Sequence, residues 1–248
     1  MSKGKLHQEI TGDTKSNFSK YRQLYLGNMG LLKAILFELV MMMFSNTPGA
    51  LGLAFRKIFY PLVFGKVGKN VIFGKGITIR HPGKIEIGNN VVVEDNCVLD
   101  AKGEDNKGIK IGTGVILSRN VIISCKNADI EIGDNTVLGI NSAIHAVEGS
   151  NVHVGNDVLI AGYVYIIGGG NYNYGKPGIP IREQGLVSKG GIRIGNNVWI
   201  GASANITDGV TIEEGNIIGA CSLVNKPIDK KDFISFGVPA KLYKKRIN

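Results

Sequence analysis

Apolar residues recur every six positions through residues 194–224, and small residues follow three of them. The apolar positions are Ile194, Ile200, Ile206, Ile212, Ile218 and Val224. An α-helix repeats at about 3.6 residues and a strand at about 2, so neither element explains this period. A chain that turns a corner every six residues and closes a coil every eighteen does explain it. This stretch therefore predicts stacked coils with a three-sided cross-section.

The same spacing extends back to residue 67 and defines seven coils. Each coil has three apolar positions, six residues apart, which we call its first, second and third beats. The coils start at Val67, Ile87, Ile111, Ile132, Val154, Ile194 and Ile212. The second beats are Phe73, Val93, Leu117, Leu138, Ile160, Ile200 and Ile218, and the third beats are Ile79, Leu99, Ile123, Ile144, Ile166, Ile206 and Val224. Because the inner positions are fixed once a start is chosen, these unbroken rows predict an all-β fold, a parallel β-helix of about seven coils.

The extra residues of the chain all fall between a third beat and the next coil start. That interval is 6 residues after Ile206 but 28 residues after Ile166. We therefore expect every loop, including the long insertion 168–191, to lie on one edge of the prism. Binding residues concentrate on loops that a rigid scaffold positions, so this edge is the candidate site.

Three stretches resemble the hexapeptide-repeat acyltransferases: IGNNVWIGA at 194–202, GNIIGACSLV at 215–224 and GVPAKLYKKR at 237–246. The last is typical of the sugar and polysaccharide O-acetyltransferase branch, and the resemblance covers residues 67–246. It implies a left-handed β-helix, a homotrimer, and acetyl-CoA bound between neighbouring subunits. The left hand rests on the resemblance alone, because the general rule for parallel crossovers predicts the opposite hand.

Three regions are predicted: a helical leader at 1–65, the β-helix at 66–236 and a basic C-terminal tail at 237–248. Within the leader, Gly30–Phe44 is almost entirely apolar, and a second apolar segment, Pro48–Phe64, follows Thr47. Thr47 is a candidate helix cap and Pro48 a candidate first helical residue. At about 1.5 Å per residue the first segment reaches roughly 22 Å, which is short of the ~30 Å hydrocarbon core of a bilayer.

Positive charge is concentrated in the first third of the chain. Residues 1–84 have a net charge of +10 and the remainder a net charge of −1, which gives the total of +9. A basic, apolar leader favours peripheral contact of residues 15–64 with anionic lipid on the inner face of the cell membrane. The alternative is that the leader only caps the open end of the β-helix. No signal-peptide layout and no basic stripe interleaved with aromatics occurs, so we expect a cytoplasmic protein that does not bind nucleic acid.

Acyl transfer requires a base, donors for the oxyanion and a slot for the thioester. His145 is the leading candidate base, because it directly follows the third beat Ile144 on the edge that carries the loops. Glu148, three residues further on, is expected to orient or charge-balance the imidazole. The other three histidines are weaker candidates: His7, His81 and His153.

Relatives commonly supply the catalytic histidine from the long loop, but this chain reads GGGNYNY at 168–174. Asn171 and Tyr172 are therefore expected to hold the acceptor. Further loop residues offer aromatic faces and bidentate groups for sugar hydroxyls or a carboxylate, namely Tyr174, Arg182, Glu183 and Gln184. Two alternatives stay open: the loop clasps a neighbouring subunit, or catalysis has been lost.

The late coils are the expected coenzyme site. The backbone at Gly201, Ala202 and Ala220 would admit the pantetheine arm. Trp199, expected on an outer face, either packs in a trimer or stacks on the ligand. The basic residues that could meet the phosphates are Lys226, Lys241, Lys244, Lys245 and Arg246.

The leading hypothesis is an acetyl-CoA-dependent O-acetyltransferase that modifies a sugar hydroxyl of capsule, lipopolysaccharide or exopolysaccharide, with no metal. An amine or small-molecule acceptor is an alternative. A β-helix carbonic anhydrase would need three histidines around zinc, which His145 and His153 do not supply. A non-catalytic trimer that serves as an assembly scaffold is the third class.

Overall fold

The computed structural model describes residues 16–246, which form a three-sided parallel β-helix with α-helices at its N-terminal end. Each coil contributes one strand to each of three sheets. Sheet A and sheet C have seven strands each, and sheet B has nine. His7 and the first fifteen residues lie outside the described residues.

Strands are numbered β1 to β25 along the chain. Sheet A contains β1 (Lys66–Val67), β4 (Ile85–Ile87), β7 (Ile109–Ile111), β10 (Ile130–Ile132), β13 (Val152–Val154), β18 (Ile192–Ile194) and β21 (Thr211–Ile212). Sheet B contains β2 (Ile72–Phe73), β5 (Val92–Val93), β8 (Ile116–Leu117), β11 (Val137–Leu138), β14 (Leu159–Ile160), β19 (Trp199–Ile200), β22 (Ile217–Ile218), β24 (Phe233–Gly237) and β25 (Ala240–Lys245). Sheet C contains β3 (Thr78–Arg80), β6 (Val98–Lys102), β9 (Ile122–Lys126), β12 (Ala143–Val147), β15 (Tyr165–Gly168), β20 (Asn205–Thr207) and β23 (Leu223–Val224). A separate antiparallel ribbon consists of β16 (Asn171–Tyr172) and β17 (Leu186–Val187).

The predicted beats form the core of the β-helix. First beats lie in sheet A, second beats in sheet B and third beats in sheet C, and each pairs with its counterpart in the next coil; Ile87, Ile111 and Ile132 are one such run. All of the beats except the half-buried Val67 are buried. The predicted coils are therefore confirmed.

Close stacking of the coils explains the glycine that follows six of the seven coil starts. A Cβ atom on Gly133 would lie 2.6 Å from the carbonyl carbon of Gly155 in the next coil, and one on Gly88 would lie 2.6 Å from that of Gly112. The insertions also lie where they were predicted. Each connects a strand of sheet C to the following strand of sheet A, and the longest follows β15.

Within the described part of the leader, residues 16–65, there are three α-helices: α1 (Asn17–Tyr21), α2 (Leu31–Phe44) and α3 (Gly49–Phe59). A π-helical turn, Arg22–Leu26, follows α1, and 3₁₀ turns occur at Tyr60–Leu62, Pro82–Lys84 and Ile181–Glu183. The predicted cap is wrong. Pro48 is the N-cap of α3, and the Thr47 hydroxyl donates to the Met43 carbonyl of α2 at 2.8 Å. The residue therefore closes the end of one helix rather than the start of the next.

The leader covers the first coil. Phe73 of β2 packs against Tyr60 and Phe64, with ring centroids at 5.2 and 5.6 Å. Arg56 is 2% exposed and donates to the carbonyl of Phe73 at 2.9 Å and to that of Thr47 at 2.8 Å. The structure thus shows the end of the β-helix capped by α3 and its following turn.

The C-terminal segment differs from the predicted tail. β24 pairs with β22 in parallel, and β25 folds back antiparallel to β24 after a cis Val238–Pro239 peptide bond. Residues 240–245 are therefore the edge strand of sheet B. Their sequence, AKLYKK, does not alternate between basic and apolar residues, so it carried no clear strand period.

No single helix of residues 16–246 is long and apolar enough to cross a bilayer. By length and composition alone, α1 with its π-helical turn meets that requirement jointly with α2, as a pair bent by 76°.

Candidate active site

The outward-facing residues differ in chemistry from one sheet to the next. On sheet A the row is polar: Lys66, Glu86, Lys110, Glu131, His153 and Arg193. On sheet B it is apolar: Ile72, Val92, Ile116, Val137, Leu159, Trp199 and Ile217. On sheet C, the residues directly after the third beats form what we call the sheet C row: Arg80, Asp100, Ser124, His145, Ile167 and Thr207. The sheet C row combines a carboxylate, a hydroxyl and an imidazole in one register. Sheet A also carries these three groups, in Glu131, His153 and Thr211, but its imidazole is paired with Glu131.

His145 lies in the middle of the sheet C row. Its neighbours in β12, Ile144 and Ala146, are buried in the core, so the imidazole faces outward and is half-buried. The ring packs against Tyr165 of the next coil, with centroids 5.4 Å apart. Within residues 16–246 the imidazole has no hydrogen-bond partner. Both ring nitrogens are therefore available to a ligand.

Burial and one carboxylate set the protonation of this imidazole. Burial lowers the pKa of His145, and the negative charge of Asp100 opposes that shift. Asp100 is 4% exposed and forms ion pairs with Lys102 at 3.0 Å and Arg80 at 3.5 Å, while its Oδ1 has no partner. Because the lower pKa favours neutral imidazole, His145 is held in the form that accepts a proton.

The structure does not bring Glu148 to the imidazole. Glu148 lies in the corner after β12 with φ of 48°, and its carboxylate reaches back to the preceding coil. It forms an ion pair with Lys126 at 3.1 Å and accepts a hydrogen bond from Asn127 at 3.2 Å. Asp100, which sequence reasoning missed, is the carboxylate that acts on His145. The signal was present, because Asp100 follows the third beat Leu99 just as His145 follows Ile144.

The other described histidines have structural partners. His81 is 6% exposed, its Nε2 lies 2.9 Å from the Gln23 carbonyl, and its backbone N–H donates to Tyr25 at 2.7 Å. These two His81 contacts hold the π-helical turn against the first coil. His153 faces outward from sheet A as predicted and pairs with Glu131 at 3.3 Å.

One buried carboxylate holds both ends of the inserted loop. Asp208 accepts hydrogen bonds from the side-chain amide of Asn171 at 2.9 Å, the backbone of Lys189 at 2.7 Å and the backbone of Gly191 at 2.8 Å. The Ser150 hydroxyl adds a contact at 3.3 Å. The Asn171 amide therefore anchors the loop, whereas it was expected to hold the acceptor.

Gln184 also serves the loop itself. Its amide exchanges hydrogen bonds with both backbone groups of Lys176 at 3.0 Å and donates to Ile179 at 2.8 Å. Tyr172, Tyr174, Arg182 and Glu183 are exposed, with Tyr174 at 80%. Arg182 and Glu183 lie 3.8 Å apart as an exposed ion pair, and all four side chains are accessible to an acceptor or a neighbouring subunit. The loop follows β15, the strand that pairs with β12 beside His145.

The predicted coenzyme residues divide into two groups. Gly201 is buried, and a Cβ there would lie 2.5 Å from the Ala220 nitrogen, so this glycine serves coil stacking. Arg246 donates to the Gly215 carbonyl at 3.1 Å. The others are exposed: Trp199, Ala202, Ala220, Lys226, Lys241, Lys244 and Lys245.

Residues 16–246 contain no group of three or more His, Cys, Asp or Glu side chains that could hold a metal ion. His145 and His153 lie on different sheets and do not converge.

The fold and the sheet C row define a β-helical protein with an imidazole site beside its loop-bearing edge. Comparison with known proteins matches two family models. "Bacterial transferase hexapeptide (six repeats)" covers residues 191–226, and "Hexapeptide repeat of succinyl-transferase" covers residues 66–101 and 129–167.

Individual relatives agree with these models. WbbJ of Escherichia coli K12, named as a lipopolysaccharide biosynthesis O-acetyl transferase, is 30% identical over 67% of this chain and 74% of its own length. Rv3034c of Mycobacterium tuberculosis, named as an acetyltransferase, is 30% identical over 56% of this chain. The chain spans 44% of the length of that relative.

A solved structure is also similar. A variant of AntD, an N-acyltransferase from Bacillus cereus in complex with dTDP-4-amino-4,6-dideoxyglucose and coenzyme A, matches with a TM-score of 0.51 and 27% identity. The match covers 75% of this chain and 86% of that one. The chain belongs to the hexapeptide-repeat acyltransferase family, and its fold is the left-handed parallel β-helix.

Proposed function

We propose that the protein transfers an acetyl group from acetyl-CoA to a sugar hydroxyl of lipopolysaccharide, capsule or exopolysaccharide, with His145 as the general base. The observation that carries the proposal is the unpartnered, half-buried imidazole next to the edge with the inserted loop. The similarity to WbbJ, named as a lipopolysaccharide biosynthesis O-acetyl transferase, supports the acceptor class, and the coenzyme A and sugar nucleotide bound to AntD support the donor and the acceptor class.

In this mechanism the neutral His145 takes the proton from the acceptor hydroxyl while its oxygen attacks the thioester carbonyl. The tetrahedral intermediate then expels the coenzyme A thiolate, which receives the proton from the imidazolium. General-base catalysis of this kind contributes about 10²–10⁴ in rate. The lowered pKa of His145 keeps the base neutral at the start of each cycle.

A homotrimer is part of the proposal. The outer row of sheet B exposes Leu159 at 53%, Trp199 at 52% and Ile116 at 37%, an apolar surface suited to burial between subunits. We place the reaction on the cytoplasmic side of the membrane. The three free cysteines Cys97, Cys125 and Cys221 support a reducing compartment.

An amine acceptor is the second candidate, because AntD is an N-acyltransferase whose structure contains an amino sugar nucleotide. Parallel assays with hydroxyl and amino forms of the same nucleotide sugar distinguish the two. Transfer to the amino form alone would replace the hydroxyl proposal and leave the donor unchanged.

The decisive experiment measures transfer from labelled acetyl-CoA to polysaccharide and nucleotide-sugar acceptors. His145→Gln should lower kcat/KM by about 10² or more with an unchanged melting temperature. His153→Gln, on the outer face of sheet A, is the matched control and should keep full activity. A His145→Gln protein at full rate would exclude the assigned base, and a wild type that fails to bind acetyl-CoA by calorimetry would favour the scaffold alternative.

A further inference from the structure

Helix α2 has two apolar faces, of which the protein uses one. Ala34, Phe37 and Val40 are buried against the β-helix. The second face contains large apolar side chains with exposures of 47% to 84%: Leu31, Leu32, Ile35, Leu39, Met42 and Met43. A surface helix of a globular protein normally carries polar residues opposite its core-facing stripe. The second face therefore requires a partner.

Helix α3 continues this exposed apolar surface. Leu51, Phe55, Ile58 and Leu62 recur at intervals of four, three and four residues, which places them on one stripe of the helix and the turn after it. Their exposures run from 36% to 69%. The Phe55 ring lies 5.1 Å from the ring of Phe44 at the end of α2, so the two surfaces meet there. We call this combined surface the leader apolar face.

The charge of residues 16–84 favours one kind of binding partner for the leader apolar face over another. Residues 16–84 contain one acidic residue, Glu38, whose carboxylate accepts a hydrogen bond from the Tyr21 hydroxyl. The exposed cations are Arg22, Lys33, Lys57, Lys66, Lys69 and Lys75. A second copy of this chain would cover the apolar face but would bring a second strongly basic segment against the first. An anionic lipid surface satisfies both, because acyl chains cover the apolar side chains and headgroups pair with the cations.

We infer that the leader apolar face docks the protein on the surface of an anionic phospholipid bilayer. The 14 residues of α2 extend about 21 Å, shorter than the ~30 Å hydrocarbon core, so the helix lies in the interface. The opposite faces of α2 and α3 remain packed on the first coil. One side of these helices therefore caps the β-helix, and the other side docks on the membrane. This inference stands on the leader alone and is independent of the proposed reaction.

The test is sedimentation of the full chain with vesicles of phosphatidylcholine, with and without phosphatidylglycerol. Wild type should bind the anionic vesicles and bind neutral ones much less. Leu32→Gln combined with Met42→Gln should weaken binding at least about tenfold, because both side chains lie mainly outside the fold, at 84% and 76% exposure. An unchanged melting temperature verifies that the capping side is intact.

Two controls make the outcome specific. Val238→Gln replaces an equally exposed apolar residue, at 72%, in the C-terminal turn and should leave binding unchanged. Lys33→Gln with Lys57→Gln should weaken binding to anionic vesicles only. The inference is overturned if wild type stays in the supernatant, or if the Leu32/Met42 variant binds like wild type. It is also overturned if, without lipid, that variant loses a self-association that wild type shows.

Discussion

The acid–base behaviour of His145 follows from two opposing contacts. Burial lowers its pKa, and the buried carboxylate of Asp100, two coils away in the sheet C row, raises it. A general base works only when neutral, so acyl transfer should fall as the pH drops through the pKa of His145. Since that pKa is lowered from the ordinary value of histidine, the enzyme should retain activity in mildly acidic solution.

Asp100→Asn provides a test at this scale. Without the carboxylate, nothing offsets the effect of burial, so the pKa of His145 should fall and the acidic limb of kcat/KM should move to lower pH. Lys102→Gln breaks the 3.0 Å ion pair but keeps the carboxylate, so it should not move the limb downward. The measurement is the pH–rate profile of the folded variant. If the acidic limb of Asp100→Asn stays at its wild-type position, Asp100 has only a structural role.

The inserted loop is an element whose position depends on one side chain. Its exposed residues include Tyr174 and Arg182, yet both of its ends converge on the buried Asp208. Two carboxylate oxygens there receive one side-chain and two backbone N–H groups. The loop therefore combines an exposed tip with a fixed base, which suits a segment that contacts an acceptor or a second subunit.

Asp208→Asn should release this loop. The amide offers one oxygen in place of two and turns an N–H group toward existing donors, at a cost of about 1–3 kcal/mol for an unsatisfied buried group. Trypsin cleavage after Arg182 should then accelerate by about tenfold. Asp105→Asn, at an exposed turn, is the control and should cleave like wild type. Equal cleavage rates for wild type and Asp208→Asn would show that other contacts hold the loop.

At the scale of the molecule, the three faces of the β-helix differ in chemistry. Sheet A is polar, sheet C carries the candidate base His145, and sheet B presents an apolar row with Trp199 and Leu159 half-exposed. A stable monomer rarely leaves so continuous an apolar row in water. The proposed trimer would bury this row.

Trp199→Glu should therefore convert the trimer into monomers, because a charge in a buried apolar interface is strongly unfavourable. Light scattering after size-exclusion chromatography measures the mass directly. Arg193→Glu, on the outer face of sheet A, should leave the oligomer unchanged. A monomeric wild type, or a trimeric Trp199→Glu, would contradict the proposed interface.

The coil architecture was predictable from sequence because it depends on a strict local period. Ile144 and Ile206 occupy the same sheet for the same reason, and no distant contact had to be known. Asp100 and Asp208 were missed because their partners lie in other coils, at sequence separations set by loops of unequal length. Thr47 and the strand 240–245 were misassigned because their hydrogen bonds, to Met43 and to β24, compete with the local signals for a cap and a tail.

The rigid stack of coils also fixes the distance between His145 and the coil that the leader covers. His145 lies three coils above the coil that the leader covers, which at about 4.8 Å per coil is roughly 14 Å. For a stack standing upright on lipid, a tethered sugar must extend past the leader helices and then by that distance before it reaches the imidazole. Adding or deleting one whole coil below β12 would move the reaction up or down by about 4.8 Å and change which unit of an anchored glycan is acylated.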